Sequence, residues 1–274
     1  MKMKWLRVTS AAVIALSLMI ALTGCGGEKQ EADYGVFLSA AGDIRELEDY
    51  RIVVIDAQYF SKEDISAFRA AGHIVYTYIN VGSLENFRSY YDEYEGLTLG
   101  AYENWDEERW VDVSDPRWQE FMTEELIPFL EEKDTDGYFV DNCDVYYNYP
   151  SRQIMDGLTV IMKALVDTGR QVVINGGDTY LDAYCRSGGS WDDVITGINQ
   201  ECVFSAILWD DDRFGTADPE DRAYFQDYIE RYAAEGADIY LLEYTRDRSL
   251  IRKIRSYCQE KGYNYYISDS IELD

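Results

Sequence analysis

The sequence predicts a single (β/α)8 barrel, and three observations carry that prediction. Short apolar runs alternate with segments of helical periodicity until eight strands have been counted. The region that carries them is about 240 residues long, the size of one such barrel. From Asp141 to Glu201 is 60 residues over two strand-helix units, close to the ~31 per unit that ~250 residues over eight units implies. A doubly wound open sheet more often has five or six strands and a glycine-rich first turn.

Val36–Leu38 is the first strand. Ile52–Asp56 is a continuous apolar run of the kind buried on both faces, and it ends in a carboxylate. Ser61-Lys-Glu-Asp64 has the form of a capping box and opens a helix through Ala71, closed by Gly72. Ile74–Ile79 is the next strand, running into Asn80-Val-Gly-Ser83. Residues 84–115 form the longest stretch between strands, and a connection of that length in a compact barrel is usually functional. Ser114-Asp-Pro116 then starts a helix with proline in its first turn and an apolar stripe of Trp118, Phe121, Met122 and Leu126; Pro128 should kink or shorten it. Tyr138–Val140 is a short strand that breaks off in Asp141, Asn142 and Asp144. A helix over 153–168, with Ile154, Leu158, Ile161, Met162 and Leu165 at helical spacing, is closed by Gly169. Val172–Ile174 leads into Asn175-Gly-Gly, and Asp178–Cys185 is a short helix. Val194–Glu201 is the sixth strand region, Tyr224–Ala234 a helix, Ile239–Glu243 a strand, Ser249–Glu260 a helix and Tyr265–Ile267 the last strand.

Ahead of the barrel, a basic start and the apolar run Ala11–Leu22 have the layout of a secretory signal. Leu22-Thr-Gly-Cys25 resembles the lipobox of bacterial lipoproteins, which implies cleavage before Cys25 and lipidation of that residue. The expected organisation is a signal peptide over 1–24, a short tether over 25–33 and the barrel over 34–274, anchored on the outer face of a membrane. Loss of 1–24 leaves 22 basic against 52 acidic residues, a formal charge of −30. That field disfavours nucleic acid, whose phosphates need Lys and Arg, and favours a cationic partner.

In a (β/α)8 barrel the C-terminal ends of all strands meet on one rim. Here those ends carry Asp56, Asn80, Asp141 with Asn142, Asn175, Glu201 and Glu243. Glutamate is not a residue of tight turns, so Glu201 and Glu243 are the more informative. Glycoside hydrolysis needs two carboxylates and little else, one to protonate the leaving oxygen and one to attack the anomeric carbon or activate water. Aromatic side chains suit sugar faces, and Tyr59, Tyr78, Trp110, Tyr146, Trp209 and Tyr244 lie near strand ends, although core packing explains any single one of them.

Five motifs in order, Tyr78-Ile-Asn-Val-Gly-Ser83, Trp110-Val-Asp-Val113, Asp136 to Asn142, Asn199-Gln-Glu201-Cys and Glu243-Tyr244, together resemble glycoside hydrolase family 114. The likeness runs from about Tyr34 to Ile267. It implies a (β/α)8 endo-α-1,4-polygalactosaminidase acting on a cationic amino-sugar polysaccharide, with no cofactor. It further implies Asp141 as nucleophile and Glu201 as general acid/base, or the reverse. Tyr78, Trp110 and Tyr244 of its motifs, together with Asp56, Asn80, Asp112, Asn142, Asp144, Asn175 and Glu243, are then expected to hold substrate. The acidic stretch Trp209–Arg213 departs from the family's pattern and reads as a solvated loop.

His73, the single histidine, precedes a strand and so belongs to the opposite rim, which argues against a Ser-His-Asp triad or a His-rich zinc site. Carboxylates at 141–144 or 210–212 suit calcium, without EF-hand spacing. Besides Cys25 there are Cys143, Cys185, Cys202 and Cys258, which either pair, Cys143 with Cys202, or stay buried as thiols. The alternative to an enzyme is a non-catalytic lipoprotein that binds polysaccharide or a small solute on the same scaffold, since fold alone does not decide function.

Overall fold

Eight parallel strands follow one another around a barrel in chain order, in a computed structural model that describes residues 32–274 except Asn104 and Asp212. They are β1 (Ala32–Phe37), β2 (Tyr50–Ile55), β3 (Ile74–Asn80), β4 (Gly137–Asp141), β5 (Gln171–Asn175), β6 (Gly197–Glu201), β7 (Asp238–Tyr244) and β8 (Asn264–Ser268). β1 and β8 lie side by side and nearly close the ring, and Ser39 N donates to Leu273 O at 3.3 Å beside that seam. The expected fold class is the one observed. Cys25 and the leader over 1–24 lie outside the described residues. β1 begins at Ala32, inside the stretch read as a tether.

Successive side chains of a strand point to opposite faces, and the barrel uses both. Tyr34, Val36, Ile52, Val54, Tyr76, Tyr78, Phe139, Val173, Tyr240 and Leu242 fill the interior. The alternate residues, among them Val53, Ile55, Val75, Tyr138, Val140, Val172 and Ile174, pack outward under the helices. This two-sided burial is why the strands read as unbroken apolar runs.

The helices form where capping and periodicity place them. Ser61 Oγ accepts from Asp64 N at 3.1 Å at the head of Lys62–Ala70, and Ser151 does the same for Ile154 N ahead of Arg152–Asp167. The helix expected from Tyr224 starts at Pro219, whose fixed backbone suits a first turn, and runs to Glu235. Pro128 neither ends nor shortens its helix. The segment from Pro116 to Glu132 runs on through a π-helical stretch, Phe121–Leu126, where the wider turn takes up the missing N–H and the crowding that a proline ring imposes on the preceding turn. His73 Nδ1 lies 2.7 Å from Tyr50 O and its ring stacks on Phe68 at 4.0 Å, away from the acids.

Two insertions rise from the C-terminal rim. After β3, the strands Ser83–Glu85, Thr98–Ala101 and Glu108–Val111 form an antiparallel sheet with Glu108–Val111 in the middle. After β6, Ser205–Leu208 pairs with Arg213–Thr216 in a hairpin whose strands have no counterpart among the expected elements, while the stretch expected as a loop, from Trp209, forms the connection between them. Four-residue strands are too short for alternation to announce them. The four cysteines among the described residues are all free, so Cys143 and Cys202 are not paired; Cys143 Sγ instead lies 3.8 Å from Met162 Sδ.

Gly82 joins the first insertion to the barrel, and a Cβ there would be driven into the Asn142 carbonyl at the end of β4. Overpacking of backbone against backbone has no side-chain escape. Gly82→Ala should therefore cost about 3 kcal/mol of stability, read as a drop in the urea midpoint; an unchanged midpoint would show that this junction yields freely.

Candidate active site

Asp141, Asn175 and Glu201 are the last residues of three adjacent strands, β4, β5 and β6. Each continues the inward-facing set of its strand, so the three side chains converge above the barrel interior. Asn175 Nδ2 donates to Asp141 Oδ1 at 3.0 Å and to Glu201 Oε1 at 2.7 Å. One amide group thus spans the two carboxylates. Glu201 Oε2 also accepts from the Tyr244 hydroxyl at 2.7 Å, and Asp141 Oδ1 from Asn142 N at 3.0 Å.

Both acids are followed by a residue in the left-handed region, Asn142 at φ 66° and Cys202 at φ 55°. Asparagine adopts this conformation readily; cysteine seldom does, and such positions store about 1–3 kcal/mol where the surroundings impose them. The sharp turn ends each strand at its carboxylate.

These side chains face a cavity of about 790 Å³. Among the described residues its lining holds nine carboxylates, of Asp56, Glu85, Glu107, Glu108, Asp141, Asp144, Asp178, Glu201 and Glu272, against a single cation, Arg88. That cation is already engaged. Arg88 pairs with Asp56 at 2.5 Å and in two-pronged fashion with Glu85 at 2.6 and 2.9 Å, all three being nearly fully buried. The cavity therefore presents a net negative field to whatever enters.

Burial in the company of other acids raises the carboxyl groups. Asp141 is lifted to about 6, first by burial, with Glu201 adding repulsion and the Asn175 N–H pulling the other way. Burial also raises Glu201, opposed by Asn175 and Tyr244. Asp144 rises to about 7 through burial and then Asp178, and Glu108 to about 7 through burial and then Glu85. Glu108 is nonetheless held fast, its Oε2 accepting from Ser83 Oγ at 2.5 Å and from the amides of Asn80 and Asn142 at 3.4 Å.

Of the residues expected to hold substrate, Asp56, Tyr78, Asn142, Asp144, Asn175 and Tyr244 line the cavity with Asp141 and Glu201. Four do not. Asn80 faces inward but is covered by the first insertion, binding Ser83 and Glu108. Trp110 is buried and stacks on Tyr102 at 4.3 Å, and Tyr102 in turn donates to Asn142 Oδ1 at 3.0 Å. Asp112 stabilises a turn, accepting from Ser114 N at 3.0 Å and Ser114 Oγ at 2.6 Å. Glu243 points the wrong way: β7 extends to Tyr244, Tyr240 and Leu242 face inward, and so Tyr244 continues inward while Glu243 faces out. There, fully buried, it accepts from Phe204 N at 2.9 Å, Ser205 N at 2.7 Å and Ser205 Oγ at 2.5 Å. It is the anchor of the second insertion.

The residues that sequence reasoning missed come mainly from the insertions and from beyond the strand ends. Glu85, Arg88, Tyr102, Trp105, Glu107 and Glu108 belong to the stretch marked as functional, but nothing in its sequence says which side chains turn inward. Asp178, Gln200 and Phe225 also reach the cavity. Trp209 sits in the exposed turn expected of its stretch and yet lines the cavity, packing edge-on against Trp105 with centroids 6.0 Å apart. The parity of β7 was the one signal available for Glu243, because strand alternation puts neighbours on opposite faces. Among the described residues, no group of three or more His, Cys, Asp and Glu side chains is placed to hold a metal ion.

A family model for glycoside-hydrolase family GH114 matches residues 27–272. No curated protein matches the chain by sequence. Among solved structures, the glycoside hydrolase domain of PelA from Pseudomonas aeruginosa superposes with a TM-score of 0.73 at 15% identity, over 88% of this chain and 96% of that one. Ega3 of Aspergillus fumigatus, in complex with galactosamine, superposes with a TM-score of 0.70 at 16% identity, over 89% and 93%. A more distant likeness is to an α-galactosidase of Thermus thermophilus, with a TM-score of 0.55 at 10% identity, over 86% and 57%.

Two outcomes follow from the site's construction. Glu243→Ala leaves two backbone N–H groups and a hydroxyl buried without an acceptor and should cost at least about 3 kcal/mol, measured by urea unfolding; a loss under about 1 kcal/mol would mean the hairpin is held by something else. The raised carboxyls also set a pH dependence. Folded Asp141, Glu108, Asp144 and Glu243 keep protons up to about 6 to 7 that the unfolded chain releases near its ordinary ~4. The native state binds more protons in that window, so stability falls as pH rises through it. The Tm should be lower at pH 8 than at pH 5, and a Tm that rises instead would contradict the buried acids described here.

Proposed function

Because the chain belongs to glycoside hydrolase family GH114 and is a glycosidase, we propose that it cleaves α-1,4-linked galactosamine-containing polysaccharide by a retaining, two-carboxylate mechanism. The observation that carries this reading is the Asn175 bridge between Asp141 and Glu201. Two carboxylate oxygens that accept from one nitrogen at 3.0 and 2.7 Å are less than about 6 Å apart, which fits the ~5 to 5.5 Å of retaining enzymes better than the ~6.5 to 9.5 Å that leaves room for an attacking water.

Asp141 takes the nucleophile's part, since three donors, the Asn175 amide, Asn142 N and the Tyr78 hydroxyl, favour its ionised form, against two, Asn175 and Tyr244, at Glu201. Glu201 takes the acid's part. Two facing anions in a buried mouth repel, so the pair retains one proton where isolated carboxyls would have lost both. Glu201 gives that proton to the glycosidic oxygen as the bond to the anomeric carbon breaks, and Asp141 attacks the same carbon to form a glycosyl ester. Glu201, now ionised, takes a proton from water. The hydroxide formed displaces Asp141 from the sugar and restores the starting states.

The substrate class is supported by charge. With Arg88 already neutralised, the remaining carboxylates of the cavity attract ammonium groups such as those of deacetylated galactosamine. Galactosamine is the ligand carried by Ega3, which shares the fold. Trp209, Trp105 and Tyr59 offer apolar faces along the lining for sugar rings. The proposal includes a place of action on the outer side of a bacterial membrane, through lipid on Cys25, and that part rests on the Leu22–Cys25 sequence alone.

The test is incubation of the domain with partially deacetylated α-1,4-galactosamine polymer, with reducing ends counted and the first product's anomer read by NMR. We expect shortened oligosaccharides with α-anomeric ends, and a rate that climbs through pH about 6 as Asp141 ionises. Asp141→Asn and Glu201→Gln should each lower kcat by at least ~10³-fold with Tm preserved. Activity that survives either substitution removes that residue from the mechanism, and β-anomeric first products would replace retention by inversion.

A further inference from the structure

The amide that spans the two acids is itself held from beneath. Asn199 faces inward two residues before Glu201 on β6, with no solvent exposure, and donates its Nδ2 to Asn175 Oδ1 at 2.7 Å. Its own Oδ1 accepts from the hydroxyl of Tyr34, a β1 residue that is 1% exposed, at 3.1 Å. Neither Tyr34 nor Asn199 reaches the cavity. The sense of the chain is fixed from end to end. An ionised carboxylate only accepts, so it takes the Nδ2 of Asn175; that turns Asn175 Oδ1 to Asn199 Nδ2 and leaves Asn199 Oδ1 to accept from the Tyr34 hydroxyl.

We propose that Tyr34 and Asn199 are positioning residues, which pin the Asn175 amide so that its one NH2 group holds Asp141 and Glu201 at their working separation. This deepens the retaining-glycosidase reading and rests on it. Two carboxylates draw an NH2 group toward them without determining where between them it settles. A carboxamide is planar, so anchoring its oxygen on a barrel strand also sets its nitrogen. The anchor lies in the dry interior, among Val36, Tyr76 and Tyr240, where loss of a partner leaves a polar atom unpaired rather than hydrated. Displacement of a reacting group by about 1 Å costs on the order of 100-fold in rate.

The experiment is a cycle of variants in the full chain. Asn199→Leu should lower kcat roughly 10- to 100-fold while KM stays within about twofold, and Tyr34→Phe, which removes one oxygen, should lower kcat roughly 3- to 10-fold. Asn175→Ala removes the bridge itself, and adding Asn199→Leu to it should cost nothing more in kcat, because Asn199 then has nothing left to position. A second readout needs no substrate. The Asn175 N–H lowers both acids, so 13C-carboxyl NMR of Asn199→Leu should show Asp141 and Glu201 titrating at higher pH than in the wild type. Losses that multiply in the double variant, or acids that titrate as in the wild type, would reduce Asn199 to a packing residue and overturn the proposal. If Asn199→Leu does not fold, Tyr34→Phe alone and combined with Asn175→Ala gives the same cycle. A wild-type enzyme that cuts no galactosamine polymer would sink the substrate reading, while the titration would still decide the positioning role.

Discussion

The mutual repulsion of Asp141 and Glu201, offset by one shared amide, is the constraint on which the rest of the structure depends. Two carboxyl groups in a buried mouth, both at the ends of stiff strands, cannot relax apart without moving the barrel. Asn175 offsets part of their repulsion with two hydrogen bonds from a single nitrogen. The left-handed turns at Asn142 and Cys202 stop each strand at its acid. Tyr244 and Asn142 N take up further lone pairs. Burial raises both acids, with Glu201 adding repulsion at Asp141, and a raised pKa is what allows one member of such a pair to keep a proton for the leaving group.

The two insertions convert a generic barrel mouth into an acidic cavity. Each is tied to the barrel by buried polar groups: the first through Asn80, Ser83 and Glu108, the second through Glu243 and the backbone of Phe204 and Ser205. Arg88 resolves the largest local conflict by neutralising Asp56 and Glu85 at once. The other acids of the lining have no such partner within the site. Their self-repulsion destabilises the folded chain at neutral pH, and that cost is tolerable only because the barrel interior and the helix layer bury two large apolar clusters. Functional charge is thus carried by loops and strand ends, and stability by the strands beneath them.

Much of this could be read from the sequence. Continuous apolar runs, caps such as Ser61 and spacing between the acids determined the barrel, because two-sided burial and helix capping are local in their causes. The same alternation carried Asp141, Asn175 and Glu201 to one rim, since all parallel strands of such a barrel end there. Five motifs in order pointed to the family. What the sequence could not determine is where a side chain goes once the chain leaves a regular element. Asp112 turned into its own loop, Trp110 into a stack with Tyr102, and Glu243 outward by the parity of its strand, which runs one residue past it to Tyr244. Glu108 entered the cavity from a short antiparallel strand, and Arg88 and Trp209 from turns beside such strands, none of them with a periodic signature. Tertiary structure alone decided that Asn175 stands between the acids and that Asn199 and Tyr34 stand behind it, because those contacts join residues as much as 165 positions apart and depend on the circular order of the strands.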